Sequence, residues 1–159
     1  MMCEGRMLTV KLNRGLVMNR GLVTMKRKSN LRLFIADDNV AFRKRLASII
    51  SNIEGIDVVG VAGDVRETIK ALKEIPVDTI ILDLHMPGGS GFDVLHAIKS
   101  TKPNPKVIVL TVGPKSAYQM LSYLSGADYF FEKSSDLKKM MHLLENTAKE
   151  KKAHTSGER

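Results

Sequence analysis

Apolar and polar positions along the chain follow two alternating periods. Leu31–Ala36 is an apolar run that reads as a buried strand, and Asp37-Asp38 follows it at once. Phe42, Leu46, Ile49, Ile50 and Ile53 then recur at helical spacing, with Arg43, Lys44 and Arg45 on the other side. That spacing predicts an amphipathic helix. Ile56–Ala62 predicts the second strand. Asp64 caps the next helix with Glu67 as its box partner, and Val65, Ile69 and Leu72 form the buried stripe. Pro76 marks the turn out, and Asp78–Leu82 predicts the third strand, ending at Asp83. Ser90 and Asp93 make a second box before Phe92, Leu95 and Ile98, and Pro103 and Pro105 close that region. Lys106–Val112 predicts the fourth strand. Ser116 and Gln119 open a helix ending near Gly126, and Tyr129–Phe131 predicts a short fifth strand. Leu137, Met140, Met141, Leu144 and Ala148 give a last amphipathic helix, with a polar, frayed tail after Glu150.

Five strand–helix units in succession imply a parallel sheet covered on both faces. Right-handed crossovers leave few topologies. The expected class is α/β: a flavodoxin-like, doubly wound (βα)5 three-layer sandwich with strand order 2-1-3-4-5. In that order the first and third strands are neighbours. Asp37, Asp38 and Asp83 then lie side by side at the switch point, where such sheets bind ligands.

Composition adds limits. The 159 residues, 43% of them apolar, suit one domain with tails. No apolar run approaches the ~18 residues that a membrane span needs. The N-terminus has no continuous apolar stretch of the secretory kind. Cys3 is the only cysteine, which points to a reducing, cytoplasmic setting. The charge is +6 over residues 1–30, −1 over 31–137 and +3 over 138–159, giving +8 in all. The central segment is therefore near neutral, and no direct DNA binding is expected of it. Residues 1–29 read as a basic, disordered extension carrying a tandem hexapeptide, Asn13–Met18 and Asn19–Thr24. Translation from Met18 or Met25 would remove most of it. Residues 30–150 read as the domain and 151–159 as a polar tail.

Three carboxylates and the ammonium of Lys133, all at strand ends, suit a divalent cation and a phosphoryl group. Mg²⁺ takes oxygen ligands in an octahedral shell and uses one or two carboxylates beside water and phosphate. Asp38 and Asp83 are the expected direct ligands, Asp37 binds through water, and the backbone carbonyl of His85 completes the set. A carboxylate attacking phosphorus gives an acyl phosphate, so Asp83 also suits the role of nucleophile. Lys133 and the Thr111 hydroxyl can hold phosphate oxygens. Taken singly, each has an ordinary reading: a helix N-terminus, a turn, a strand threonine, a surface lysine. Their joint occurrence at matched strand ends favours the chemical reading.

Residues 30–150 resemble the receiver domain of two-component response regulators. The matching residues are Asp37-Asp38, Asp83 with Met86-Pro87 and Gly91, Thr111, Gly126-Ala127 and Lys133. The resemblance implies that Asp83 accepts a phosphoryl group from a histidine kinase or phosphotransfer protein, with Mg²⁺. It implies that Thr111 is then drawn inward and Phe130 rotates to fill the space. A downstream protein reads the changed face of the fourth helix, fifth strand and fifth helix. It also implies that His85 and Gly113 tune loss of the phosphoryl group, with Gly113 slowing it for want of a side chain to hold water. Arg43–Arg45 lies on a helix that often touches the kinase.

Three departures stand out. Phe130 lacks the hydroxyl of the commoner tyrosine. Val112 stands where a small residue is common and would tighten the space around Thr111. Ser134 follows Lys133 in place of proline, so a trans bond is expected there. His96, His142 and His154 are expected to face solvent. Tyr118, Met120 and Tyr123 are either packing residues or a partner surface. Only 26 residues follow Lys133, which favours a stand-alone regulator without an output module. Two rivals are an aspartyl-nucleophile phosphatase and a phosphorylation-independent binding module of the same fold. The first is disfavoured because His85 stands where many such enzymes carry a second Asp. A third rival is a fragment of a longer DNA-binding regulator, which the stretch Gly126–Ser134 resembles.

Overall fold

The computed structural model describes residues 30–100, 102–113 and 115–157. The basic extension and its tandem hexapeptide lie outside them. Five strands, β1 (Leu31–Ala36), β2 (Ile56–Ala62), β3 (Thr79–Leu82), β4 (Lys106–Thr111) and β5 (Tyr129–Glu132), alternate with five helices. The helices are α1 (Val40–Ser51), α2 (Val65–Glu74), α3 (Gly91–Ile98), α4 (Lys115–Leu124) and α5 (Leu137–Gly157). All the strand pairs are parallel and the order is β2-β1-β3-β4-β5, as expected.

The central strands are largely apolar because both of their faces are covered. Phe34, Ile80, Leu82, Val107 and Val109 pack with Val94, Leu95 and Ile98 on one side, the side of α2 and α3. Leu33, Ile35, Ile81, Ile108 and Leu110 pack with Leu46, Ile50, Met140 and Leu144 of α1 and α5 on the other. Burying one such side chain contributes about 1.5–3 kcal/mol.

The helix starts follow the polar punctuation. Asn39 caps α1, its side chain accepting from the Phe42 amide at 3.0 Å. Ser90 and Asp93 form the expected reciprocal box at α3. At α2 the box is displaced. Asp64 accepts from the Glu67 amide, but the Glu67 carboxylate takes the Gly63 amide instead of that of Asp64.

Several boundaries differ from the sequence reading. β3 begins at Thr79, since the Asp78 carboxylate turns aside to bind the Arg32 backbone and guanidinium. β4 stops at Thr111, β5 continues to Glu132 and α4 starts at Lys115. In α1 Leu46 and Ile50 are buried, whereas Ile49 is exposed. The polar segment after Glu150 does not fray, and α5 continues to Gly157. Lys151 pairs with Asp78 at 2.5 Å and Lys152 with Glu54 at 2.8 Å, which ties this last stretch to the body. His96, His142 and His154 are exposed, and the Lys133–Ser134 bond is trans.

Candidate functional site

The ladders run on past the strand ends and set the site. The Asp37 amide donates to the Ala62 carbonyl, the Asp83 amide to that of Ala36 and the Lys133 amide to that of Thr111. The three charged residues therefore leave the sheet from the same edge, each one step beyond its strand. Asp37 and Asp83 are 2% and 4% exposed, while Asp38 is open to solvent.

Oxygens of Asp37, Asp38 and Asp83 lie within 4.8 Å of one another. Lys133 Nζ bridges two of them, at 2.5 Å from Asp83 Oδ2 and 2.6 Å from Asp37 Oδ2. Asp83 Oδ1 accepts from the Thr111 hydroxyl at 2.8 Å and from the His85 amide at 3.1 Å. Asp37 Oδ1 accepts from the Asn39 amide at 2.9 Å. Burial pushes the Asp37 carboxyl above its usual range, and the hydrogen bond from Lys133 opposes only part of this. Burial alone would lower the Lys133 ammonium, but its bonds to Asp37 and Asp83 outweigh it and leave the pKa raised.

Three carboxylates gather here and one ammonium bridges two of them, so negative charge is in excess. The donor set is all oxygen, with one exposed member to leave room for water. That chemistry fits a hard divalent cation such as Mg²⁺.

Phe130, expected to move inward on activation, is already buried at 6% exposure in the α3 side of the core. Without a hydroxyl it has no polar atom to present to water. Thr111 is likewise already bonded to Asp83. Val112 does not crowd it, because its side chain faces solvent at 62% exposure. Gly113 does not leave an empty place. A Cβ built on it would overlap the Tyr118 ring, which fills that space from α4. Tyr118 is half-buried and Tyr123 exposed, so the two take different roles.

His85 contributes more than backbone. Its ring lies between Thr111 and Tyr118, with Nδ1 3.2 Å from Thr111 Oγ1 and Nε2 3.3 Å from the Tyr118 hydroxyl. Its ring meets that of Tyr118 edge-on, centroids 5.4 Å apart. A cleft of about 460 Å³ opens here, lined by Asp38, His85, Phe92 and Tyr118 among others.

Three neighbours escaped the sequence reading. Phe42, read as core, sits under Lys133, with Nζ 4.7 Å from its ring centroid. Arg43, read as a solvated face, donates to the Asp37 carbonyl. Asn39 fixes Asp37 while capping α1. A signal existed for the first two: they fall one turn into the helix that follows Asp37-Asp38, on the side facing the strand ends.

The family model described as the response regulator receiver domain matches residues 33–145. A protein-glutamate methylesterase/protein-glutamine glutaminase of Myxococcus xanthus is 36% identical over 100 residues, which cover 62% of this chain and 29% of that protein. The nitrate/nitrite response regulator protein NarP of Escherichia coli is 30% identical over 125 residues, covering 79% of this chain and 58% of NarP. The chain thus spans less than two thirds of these relatives. Among solved structures, a LuxR-family two-component response regulator from an Aurantimonas species superposes with a TM-score of 0.70 at 24% identity. That superposition covers 77% of this chain and 87% of the other, and it speaks for the fold.

Proposed function

Since the chain belongs to the response regulator receiver domain family, we propose that Asp83 accepts a phosphoryl group from the phosphohistidine of a histidine kinase or phosphotransfer protein. The observation that carries this reading is the convergence on Asp83 of Lys133, the Thr111 hydroxyl and the His85 amide, beside two further carboxylates. A carboxylate held by donors on both oxygens is oriented before the donor arrives, and in-line phosphoryl transfer asks chiefly for such positioning.

An Asp83 oxygen forms the new P–O bond as the P–N bond to the donor imidazole breaks. The product is an acyl phosphate and a neutral histidine on the donor. Lys133 and Thr111 then hold phosphate oxygens in place of carboxylate oxygens. Asp37, Asp38, Asp83 and the His85 carbonyl would hold Mg²⁺, which when bound neutralises charge on the phosphoryl oxygens. Release of Thr111 and Lys133 from the bare carboxylate alters the packing of β4, β5 and α4. The exposed apolar side chains of α4, Met120, Leu121, Tyr123 and Leu124, belong to the face that a downstream protein would read.

The reading is of a cytoplasmic phosphoacceptor that signals through protein contacts, neither a hydrolytic enzyme nor a direct DNA binder. His85 favours the first point, because many aspartyl-nucleophile phosphatases carry a second Asp at that place. The near-neutral charge of residues 31–137 supports the second.

The test is incubation with acetyl phosphate and Mg²⁺, read by intact mass beside Asp83→Asn. One phosphoryl adduct is expected, absent from the variant and when Mg²⁺ is withheld. A wild type that neither forms an adduct nor releases phosphate from the donor would leave a passive binding module.

A further inference from the structure

Tyr118 lies outside the acceptor set, yet it reaches Asp83 through two intermediaries. The directions of these hydrogen bonds follow from counting donors. Thr111 has one hydroxyl proton, and it is given to Asp83 Oδ1 at 2.8 Å. Thr111 Oγ1 can therefore only accept from His85 Nδ1, 3.2 Å away, which places the imidazole proton on Nδ1. In the neutral ring Nε2 is then an acceptor, and the Tyr118 hydroxyl 3.3 Å away donates to it. The result is one directed chain, Tyr118 to His85 to Thr111 to Asp83.

Two further observations bear on this chain. His85 has a side chain 56% exposed, so little other than Tyr118 restrains its outer edge. Gly113 has φ +144°, and any side chain there would collide with the Tyr118 ring. The ring thus covers the flank of the site that a side chain at Gly113 would otherwise occupy.

We propose that Tyr118 is a positioning residue for the acyl phosphate. Its hydroxyl holds the His85 ring over Thr111 and its ring closes the flank beside Gly113, together keeping water from attacking the phosphorylated Asp83. This rests on the acceptor reading of Asp83. Hydrolysis breaks the P–O bond to Asp83 by attack of one water on phosphorus, and releases inorganic phosphate and the free carboxylate. A group that shields phosphorus from that water lengthens the lifetime of the adduct.

The test uses Tyr118→Phe, which keeps the ring, and Tyr118→Ala, which removes it. The first readout needs no phosphoryl group: ¹⁵N shifts of the His85 imidazole, assigned by their loss in His85→Gln. The wild type is expected to carry the proton on Nδ1, and Tyr118→Phe to shift towards the Nε2 form. The second readout is decay of the adduct by intact mass after the acetyl phosphate is removed. Tyr118→Phe should shorten the half-life roughly fivefold, the rate equivalent of one hydrogen bond, and Tyr118→Ala further. Gly113→Ala, which displaces the ring, should shorten it in the wild type and add little beside Tyr118→Ala. Decay within about twofold of wild type in both Tyr118 variants overturns the proposal while the acceptor reading stands. An adduct missing from every variant and the wild type overturns both.

Discussion

Replacing Lys133 by methionine removes one charge and nearly no volume from a site that holds two buried carboxylates. Without the ammonium, Asp37 and Asp83 face each other across at most 4.8 Å. At that separation two like charges repel by about 3.5 kcal/mol with an effective dielectric constant of about 20. Proton uptake by one carboxyl is the alternative. Burial already holds the Asp37 carboxyl above its ordinary range, and protonation becomes easier as pH falls, by about 1.36 kcal/mol per pH unit. Repulsion is the lesser cost at the higher pH and protonation at the lower. Lys133→Met should therefore lose up to about 3.5 kcal/mol of stability near pH 7 and less near pH 5. Urea unfolding at the two pH values measures both. Adding Asp83→Asn to the variant should restore most of the loss at pH 7, because the repulsion has gone. A Lys133→Met protein as stable as wild type at pH 7, or one whose deficit does not shrink on acidification, would refute the reasoning.

At the other end of the sheet, Asp78 is held by Arg32 and Lys151, whose bonds outweigh the effect of burial and keep its carboxyl far below the usual range. A lowered folded pKa means stability present above the unfolded value of 3.8 and lost as pH falls through the folded one. Asp78→Asn should cost about 1–2 kcal/mol near neutral pH. The gap to wild type, read from melting temperatures against pH, should close below pH 3.8, and a gap independent of pH would contradict this. Gly91→Ala would push a Cβ against the carbonyl of Asp83 and the Cα of Leu84. It should cost about 2–3 kcal/mol in urea unfolding and slow adduct formation, and a variant with wild-type values of both would show that the α3 start has slack.

The sheet was legible in the sequence for a physical reason. Strands covered on both faces are mostly apolar, as in Leu31–Ala36, and both that strand and the edge strand Ile56–Ala62 run to the very residues expected. Asp37 and Asp83 were legible because a charge directly after such a run has one place to go, the open end of the sheet, and Lys133 because it leaves β5 at the same end. The boundaries of β3 and β4 were less so, since Asp78 and Val112 fit a strand by composition, yet the Asp78 carboxylate turns aside to Arg32 and Val112 faces solvent beyond the strand end. The Tyr118–His85 contact was not legible at all. It depends on the angle at which α4 lies on the sheet, and residue spacing does not encode that angle. The extent of α5 was hidden for a similar reason. Lys151 and Lys152 look like a solvated tail until Asp78 and Glu54 are placed beside them.

The strand order β2-β1-β3-β4-β5 also bears on how the protein is made. β1 lies between β2 and β3, so the first strand to leave the ribosome is flanked on both sides only once the third has followed. The Asp83 carboxylate then waits longer still for its partner, because Lys133 lies 50 residues after it. Until β5 arrives, Asp37 and Asp83 crowd one end of the sheet with no ammonium between them, and the β4 edge offers unpaired backbone groups to any neighbour. A nascent chain paused before Lys133 therefore holds most of the sheet together with the uncompensated Asp37–Asp83 pair. The last strand supplies both the missing edge and the missing cation, so completion of the sheet and neutralisation of the site happen in a single late step.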